Sequence, residues 1–127
     1  MSGAKRLKQV KILVADPQLR VRRALRVLLE RQSGTPEIDE VGSGDELGNR
    51  VICNQPDVLI FDPDLPRFHL ESCLRNLRQT HPHMLVIAMS GRDECRSVVL
   101  AAGVDLFIPK NKPPDELLAA LQQYAFL

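Results

Sequence analysis

The sequence predicts a three-layer α/β domain, a five-stranded parallel sheet with helices on both faces. Three observations predict it. Short apolar runs alternate along the chain with stretches whose apolar residues recur at helical spacing. The apolar runs are nearly continuous, the pattern of parallel strands covered on both faces rather than of half-exposed ones. A chain of 127 residues, 44% hydrophobic and 26% charged, has the size and composition of one soluble domain with one real core.

The elements follow in order. Residues 9–127 form the domain, behind a short basic tail over 1–8. Val10 to Ala15 is a β-branched run that ends at Asp16-Pro17. Leu19, Val21, Leu25, Leu28 and Leu29 then mark a helix, with Arg20, Arg22, Arg23 and Arg26 among them, and Ser33-Gly34-Thr35-Pro36 breaks it. Glu37 to Val41 is a weak edge strand. Asp45 to Asn54 is helical, capped by Ser43 or Asp45. Asp57 to Phe61 is the central strand; it runs into Asp62, and Pro63 and Pro66 stop it. Leu70, Leu74, Leu77 and Arg78 give a third helix, ending near His81-Pro82. Met84 to Met89 is a fourth strand, buried on both sides, ending at Ser90-Gly91. Glu94 to Ala102 is a fourth helix closed by Gly103. Asp105 to Ile108 is a fifth strand, ending at Pro109-Lys110. Pro114 starts a last helix that turns Leu117, Leu118, Leu121 and Tyr124 to the core. No repeat, low-complexity segment or linker interrupts the series.

Right-handed crossovers and this size favour the flavodoxin-like strand order 2-1-3-4-5. Strands 1, 3, 4 and 5 are then neighbours, and their carboxyl ends carry Asp16, Asp62, Ser90 and Lys110. Ligands bind at that edge of an open parallel sheet. Each residue also has a plain structural reading. Asp16 before Pro17 suits an N-cap with proline at N1, Asp62 a turn, Ser90 a small strand-end residue and Lys110 a solvated side chain. Four such residues at four adjacent strand ends point jointly to a site.

Composition narrows the function classes. Cys53, Cys73 and Cys95 are odd in number and far apart, so neither a disulfide framework nor a zinc site is expected, and reduced thiols suit a cytoplasmic protein. No apolar run approaches a membrane span. The net charge of +1 hides an asymmetry: residues 1–32 hold nine Lys/Arg against Asp16 and Glu30. That basic quarter suits an acidic protein partner or a phosphate, while the domain as a whole is not basic enough for direct nucleic-acid binding. A flavin- or nucleotide-binding enzyme on this fold needs a Ser/Thr/Gly-rich phosphate loop after the first strand, and Asp16-Pro17-Gln18-Leu19 is not one.

Over residues 9–125 the chain resembles the receiver domain of two-component response regulators. The segments that carry the resemblance are Ile12-Leu13-Val14-Ala15-Asp16, Pro56 to Asp62 with Leu65-Pro66, Val86 to Gly91, and Ala101-Ala102-Gly103-Val104-Asp105 through Phe107 to Lys110. The resemblance implies a signalling module rather than an enzyme, bacterial and cytoplasmic. Asp62 matches the phospho-acceptor, which takes a phosphoryl group from a histidine kinase or histidine phosphotransfer protein and forms an acyl phosphate. Lys110 matches the lysine that pairs with a phosphoryl oxygen. Ser90 matches the hydroxyl that moves toward the phosphate, and Phe107 the aromatic whose inward turn couples that motion to the surface; Phe107 is equally readable as a core aromatic. Signalling, and possible homodimerisation, would run through the face of helix 4, strand 5 and helix 5.

The chain also departs from the family pattern. Pro17 stands where a second acid normally completes a magnesium site, which predicts weakened Mg2+ binding. Pro63 cannot lend a backbone N–H to a phosphoryl group. Asn111 replaces the proline common after the lysine. Asp64, two residues past Asp62, is placed to restore a carboxylate, giving Asp16, Asp62 and Asp64 as the expected metal ligands; alternatively it pairs with Arg92, two residues past Ser90. A phosphorylated receiver and a degenerate receiver that serves as a phosphorylation-independent interaction or dimerisation module are therefore both open. Phe126 and Leu127 at the chain end read as a partner contact or the start of a continuation.

Overall fold

The structure is a computed structural model and describes residues 10–125. The tail over 1–8 and the pair Phe126 and Leu127 lie outside the described residues. The elements alternate as expected: β1 (Lys11–Ala15), α1 (Leu19–Glu30), β2 (Glu37–Val41), α2 (Gly44–Asn54), β3 (Val58–Phe61), α3 (Leu70–Thr80), β4 (Leu85–Ser90), a 3-10 turn (Asp93–Cys95), α4 (Arg96–Ala101), β5 (Leu106–Pro109) and α5 (Asp115–Ala125). All strand pairs are parallel, and the order is β2-β1-β3-β4-β5. This is the flavodoxin-like arrangement.

Alternation along the buried strands divides the core into two layers. Ile12, Val14, Val58, Ile60, Ile87 and Ile108 face Leu25 and Leu29 of α1 and Leu117 and Leu121 of α5. Leu13, Ala15, Leu59, Phe61, Val86, Ala88 and Phe107 face α2, α3 and α4 through Leu47, Val51, Leu74, Leu77 and Val99. The helices thus cover both faces of the sheet, and backbone groups at the strand ends are left at the rim, where the site forms.

Several local expectations are corrected. Asp16 does not cap α1: the N-cap is Gln18, whose side chain makes no capping bond, and Asp16 Oδ1 accepts the Gln18 N–H at 2.9 Å. Leu19 stands at the very start of the helix and is 48% exposed. Ser43, not Asp45, caps α2; its side chain accepts from the Glu46 N–H while Glu46 accepts from the Gly42 N–H. Helix 4 is divided, a 3-10 turn followed by a short α-helix, and Ala102 is its cap with Gly103 one residue further at φ +112°. Tyr124 turns outward, 46% exposed, because its hydroxyl donates to the carbonyl of His83. Arg22 and Arg26 are not free basic charges either. Both pair with Glu40 of the edge strand, leaving Arg20 and Arg23 as the exposed arginines of that set.

Candidate functional site

Sheet hydrogen bonding continues one residue past the strands and fixes the site. The Asp16 N–H donates to Val41 O, Asp62 N–H to Ala15 O at 2.9 Å, and Lys110 N–H to Ser90 O at 2.9 Å. Asp16, Asp62 and Ser90 are all buried. Lys110 Nζ reaches both carboxylates, 2.7 Å from Asp16 Oδ2 and 2.5 Å from Asp62 Oδ2. Thus three of the four strand-end residues meet through one ammonium group.

Burial pushes the Lys110 ammonium toward a lower pKa, but its hydrogen bonds to Asp16 and Asp62, and their negative charges, outweigh this and hold it above its ordinary value. The carboxylate oxygens that do not face Lys110 are bound by backbone: Asp16 Oδ1 by Gln18 N–H, and Asp62 Oδ1 by Asp64 N–H at 2.7 Å. Pro63 has no N–H to give, and the backbone donor on Asp62 is that of the next residue.

Asp64 turns its own carboxylate to Arg92. The guanidinium binds it through two nitrogens, at 2.6 and 3.1 Å, across the rim of the site. That pairing, with the negative charge of Asp64, raises the Arg92 pKa. The main-chain N–H of Arg92 donates to Ser90 Oγ at 3.0 Å. One residue therefore ties the loop after β3 to the loop after β4.

Sequence reasoning did not place Cys95 or Arg96 at the site, and it read Arg22 only as one arginine of a basic helix beside it. Cys95 Sγ lies 3.5 Å from Ser90 Oγ. Arg22 Nη1 donates to the Asp16 carbonyl at 2.7 Å. The Arg96 guanidinium stands 4.8 Å above the Phe107 ring, which is itself buried. The split of helix 4 sets the phase of Cys95 and Arg96, and no spacing in the sequence announces that split.

A model of the response regulator receiver domain matches residues 12–122. The chain belongs to the response regulator receiver domain family. It is 34% identical over 116 residues to response regulator MprA of Mycobacterium ulcerans (strain Agy99), a match that covers 89% of this chain and 49% of that protein. The chain thus spans about half the length of the curated relatives it matches. Among solved structures it is similar to the N-terminal domain of an uncharacterized protein (WS1339) from Wolinella succinogenes, with TM-score 0.78, 26% identity and 91% and 93% of the two chains covered. It shares its fold with response regulator protein TrrA from Thermotoga maritima in complex with Mg(2+)-BeF, with TM-score 0.81, 22% identity and 94% and 100% covered.

Receiver domains generally bind magnesium. The residues of this receiver do not fit a resident ion. Pro17 removes one carboxylate, Lys110 occupies an oxygen of each remaining one, and Asp64 is bound by Arg92. The expected ligand set Asp16, Asp62 and Asp64 is not assembled. Among the described residues no group of three carboxylate, imidazole or thiol side chains stands together to hold a metal. Magnesium usually keeps several waters and takes one or two carboxylates in near-ideal octahedral geometry, and here Lys110 already binds an oxygen of each of the two buried carboxylates.

Proposed function

We propose that this receiver accepts a phosphoryl group on Asp62 from the phosphohistidine of a histidine kinase or histidine phosphotransfer protein, and signals through the face made by α4, β5 and α5. The observation that carries the reading is Asp62 at the carboxyl end of β3, buried and paired with Lys110 at 2.5 Å. A carboxylate oxygen of Asp62 attacks phosphorus. The new P–O bond forms as the P–N bond to the donor imidazole breaks, and the electron pair of that bond leaves on the ring nitrogen. Lys110 opposes the negative charge on the transferring oxygens. The Ser90 hydroxyl turns from the Arg92 N–H toward the phosphoryl group, and Phe107 follows beneath Arg96. A bias of a few kcal/mol between two packings suffices for such a switch.

Arg20 and Arg23, exposed on α1, suit an acidic surface of the kinase or phosphotransfer protein. The domain itself makes no direct nucleic-acid contact in this reading and works in the cytoplasm. Among the described residues no helix is long and apolar enough to cross a membrane.

The second reading, a degenerate receiver acting as an interaction module, is favoured by Pro17 and by the occupation of both Asp62 oxygens. Acetyl phosphate with magnesium, followed by intact-mass measurement, separates the two. A gain of one phosphoryl mass that disappears in Asp62→Asn supports the acceptor reading. Unlabelled protein in both cases supports the interaction module.

A further inference from the structure

We infer that this receiver takes and holds its phosphoryl group without a divalent metal, and that Arg92 supplies the positive charge a metal would otherwise bring. The inference rests on Asp62 being the acceptor. Asp16 and Asp62 carry −2 and Lys110 carries +1, a net −1, and the Asp64–Arg92 pair beside them adds nothing. A third acid at position 17 would make the site −2, the deficit a divalent ion neutralises. Pro17 halves that deficit and takes away a ligand.

A phosphoryl group on Asp62 brings new negative charge and three acceptor oxygens to the same place. Lys110 is already bound there. Arg22 stands at the site too, on the Asp16 carbonyl, but it pairs with Glu40. The half-exposed cation at the rim is Arg92, and two links place it. Its main-chain N–H holds Ser90 Oγ, and its side chain holds Asp64, whose own N–H holds Asp62 Oδ1. Arg92 and Asp64 are each about half exposed, so the ion pair between them is weak and readily exchanged. A guanidinium binds phosphate oxygens as well as it binds a carboxylate, with the same two-pronged geometry. On phosphorylation Arg92 therefore leaves Asp64 for the phosphoryl oxygens, and Asp64 turns to water. Asp64 is the resting partner of that cation and competes with the phosphoryl group for it.

The test uses phosphoramidate as donor, with the described protein labelled in EDTA and in 10 mM MgCl2 (about the concentration at which a weak site would still respond). Intact mass follows the label, and thermal unfolding is measured in both buffers. Expected are equal rates and extents of labelling in the two buffers and an unchanged unfolding midpoint. In EDTA, Arg92→Gln should label about tenfold more slowly. Asp64→Asn, which frees Arg92, should label faster, and Arg92→Lys should recover part of the loss. A merely structural ion pair predicts instead that Arg92→Gln and Asp64→Asn change the rate in the same direction, an outcome that overturns the role of Arg92. Labelling of the wild type only with magnesium, or a saturable rise of its midpoint with magnesium, overturns metal independence and leaves the acceptor reading standing. No label in either buffer, with Asp62→Asn indistinguishable from wild type, overturns the acceptor reading and this inference with it.

Discussion

Lys110 holds its ammonium between Asp16 and Asp62, two carboxylates almost withdrawn from water, while its own side chain remains 19% exposed. Removing it leaves two buried negative charges side by side. Lys110→Met should therefore cost about 3 kcal/mol at neutral pH, the low end for a broken buried pair because the lysine is partly solvated; urea unfolding measures this. The lysine also sets an alkaline limit. Its folded-state pKa lies above the ordinary 10.5, so its contribution is complete below that value and is lost as pH rises through the folded-state value. Wild-type stability should fall in that alkaline window, and Lys110→Met should lack this component of the fall. Asp16, Asp62, Ser90 and Lys110 were legible in the sequence because proline or glycine punctuates the end of each strand. The Asp64–Arg92 pair was legible as one of two alternatives, since both residues stand two places past adjacent strand ends. The cover of Arg96 over Phe107 was not, because it depends on where helix 4 changes from a 3-10 turn to an α-helix.

At the scale of elements, α2 and the loop after β3 are locked together at Gly44. Its N–H donates to Pro66 O at 2.8 Å, and a Cβ there would lie 2.0 Å from the Arg67 carbonyl oxygen. Arg67 has φ +56° and pairs with Asp45, and Phe68 packs on Phe61 with ring centroids 5.1 Å apart, so the loop has little room to retreat. Gly44→Ala should destabilise by at least about 2 kcal/mol, since backbone rather than a flexible side chain must yield. Gly48, one turn further along α2, has nothing within 4 Å of an added Cβ. Gly48→Ala should stabilise by about 0.5–1 kcal/mol through helix propensity alone. Thermal unfolding of the two variants gives opposite signs within one helix. The strands and the order of elements were legible because apolar runs and their breakers are local signals. The locking of α2 to the loop after β3, and the outward turn of Tyr124, arise from contacts between residues distant in sequence, for which one chain carries no spacing signal.

Over the whole molecule, the helices bury two core layers but leave α4 with Val98 and Leu100 exposed, at 62% and 41%. Two such side chains fall well short of the roughly 800 Å² per partner of a stable interface, and scattered exposed apolar residues are ordinary. The unmodified domain should therefore sediment as a monomer at about 10 µM, where standard-size interfaces commonly hold. Phosphorylation changes the balance at this face if Ser90 and Phe107 move, because Phe107 lies beneath Arg96 at the start of α4. Shifting Phe107 releases that guanidinium and allows α4 to repack around its buried Val99. The phosphorylated domain should then shift toward a homodimer in sedimentation velocity. Val98→Glu should prevent the shift while leaving the mass label on Asp62 intact, because position 98 touches none of the carboxylates or cations of the site. A monomer that persists after full labelling would place the output of this receiver on a different partner, one that reads the same face without a second copy.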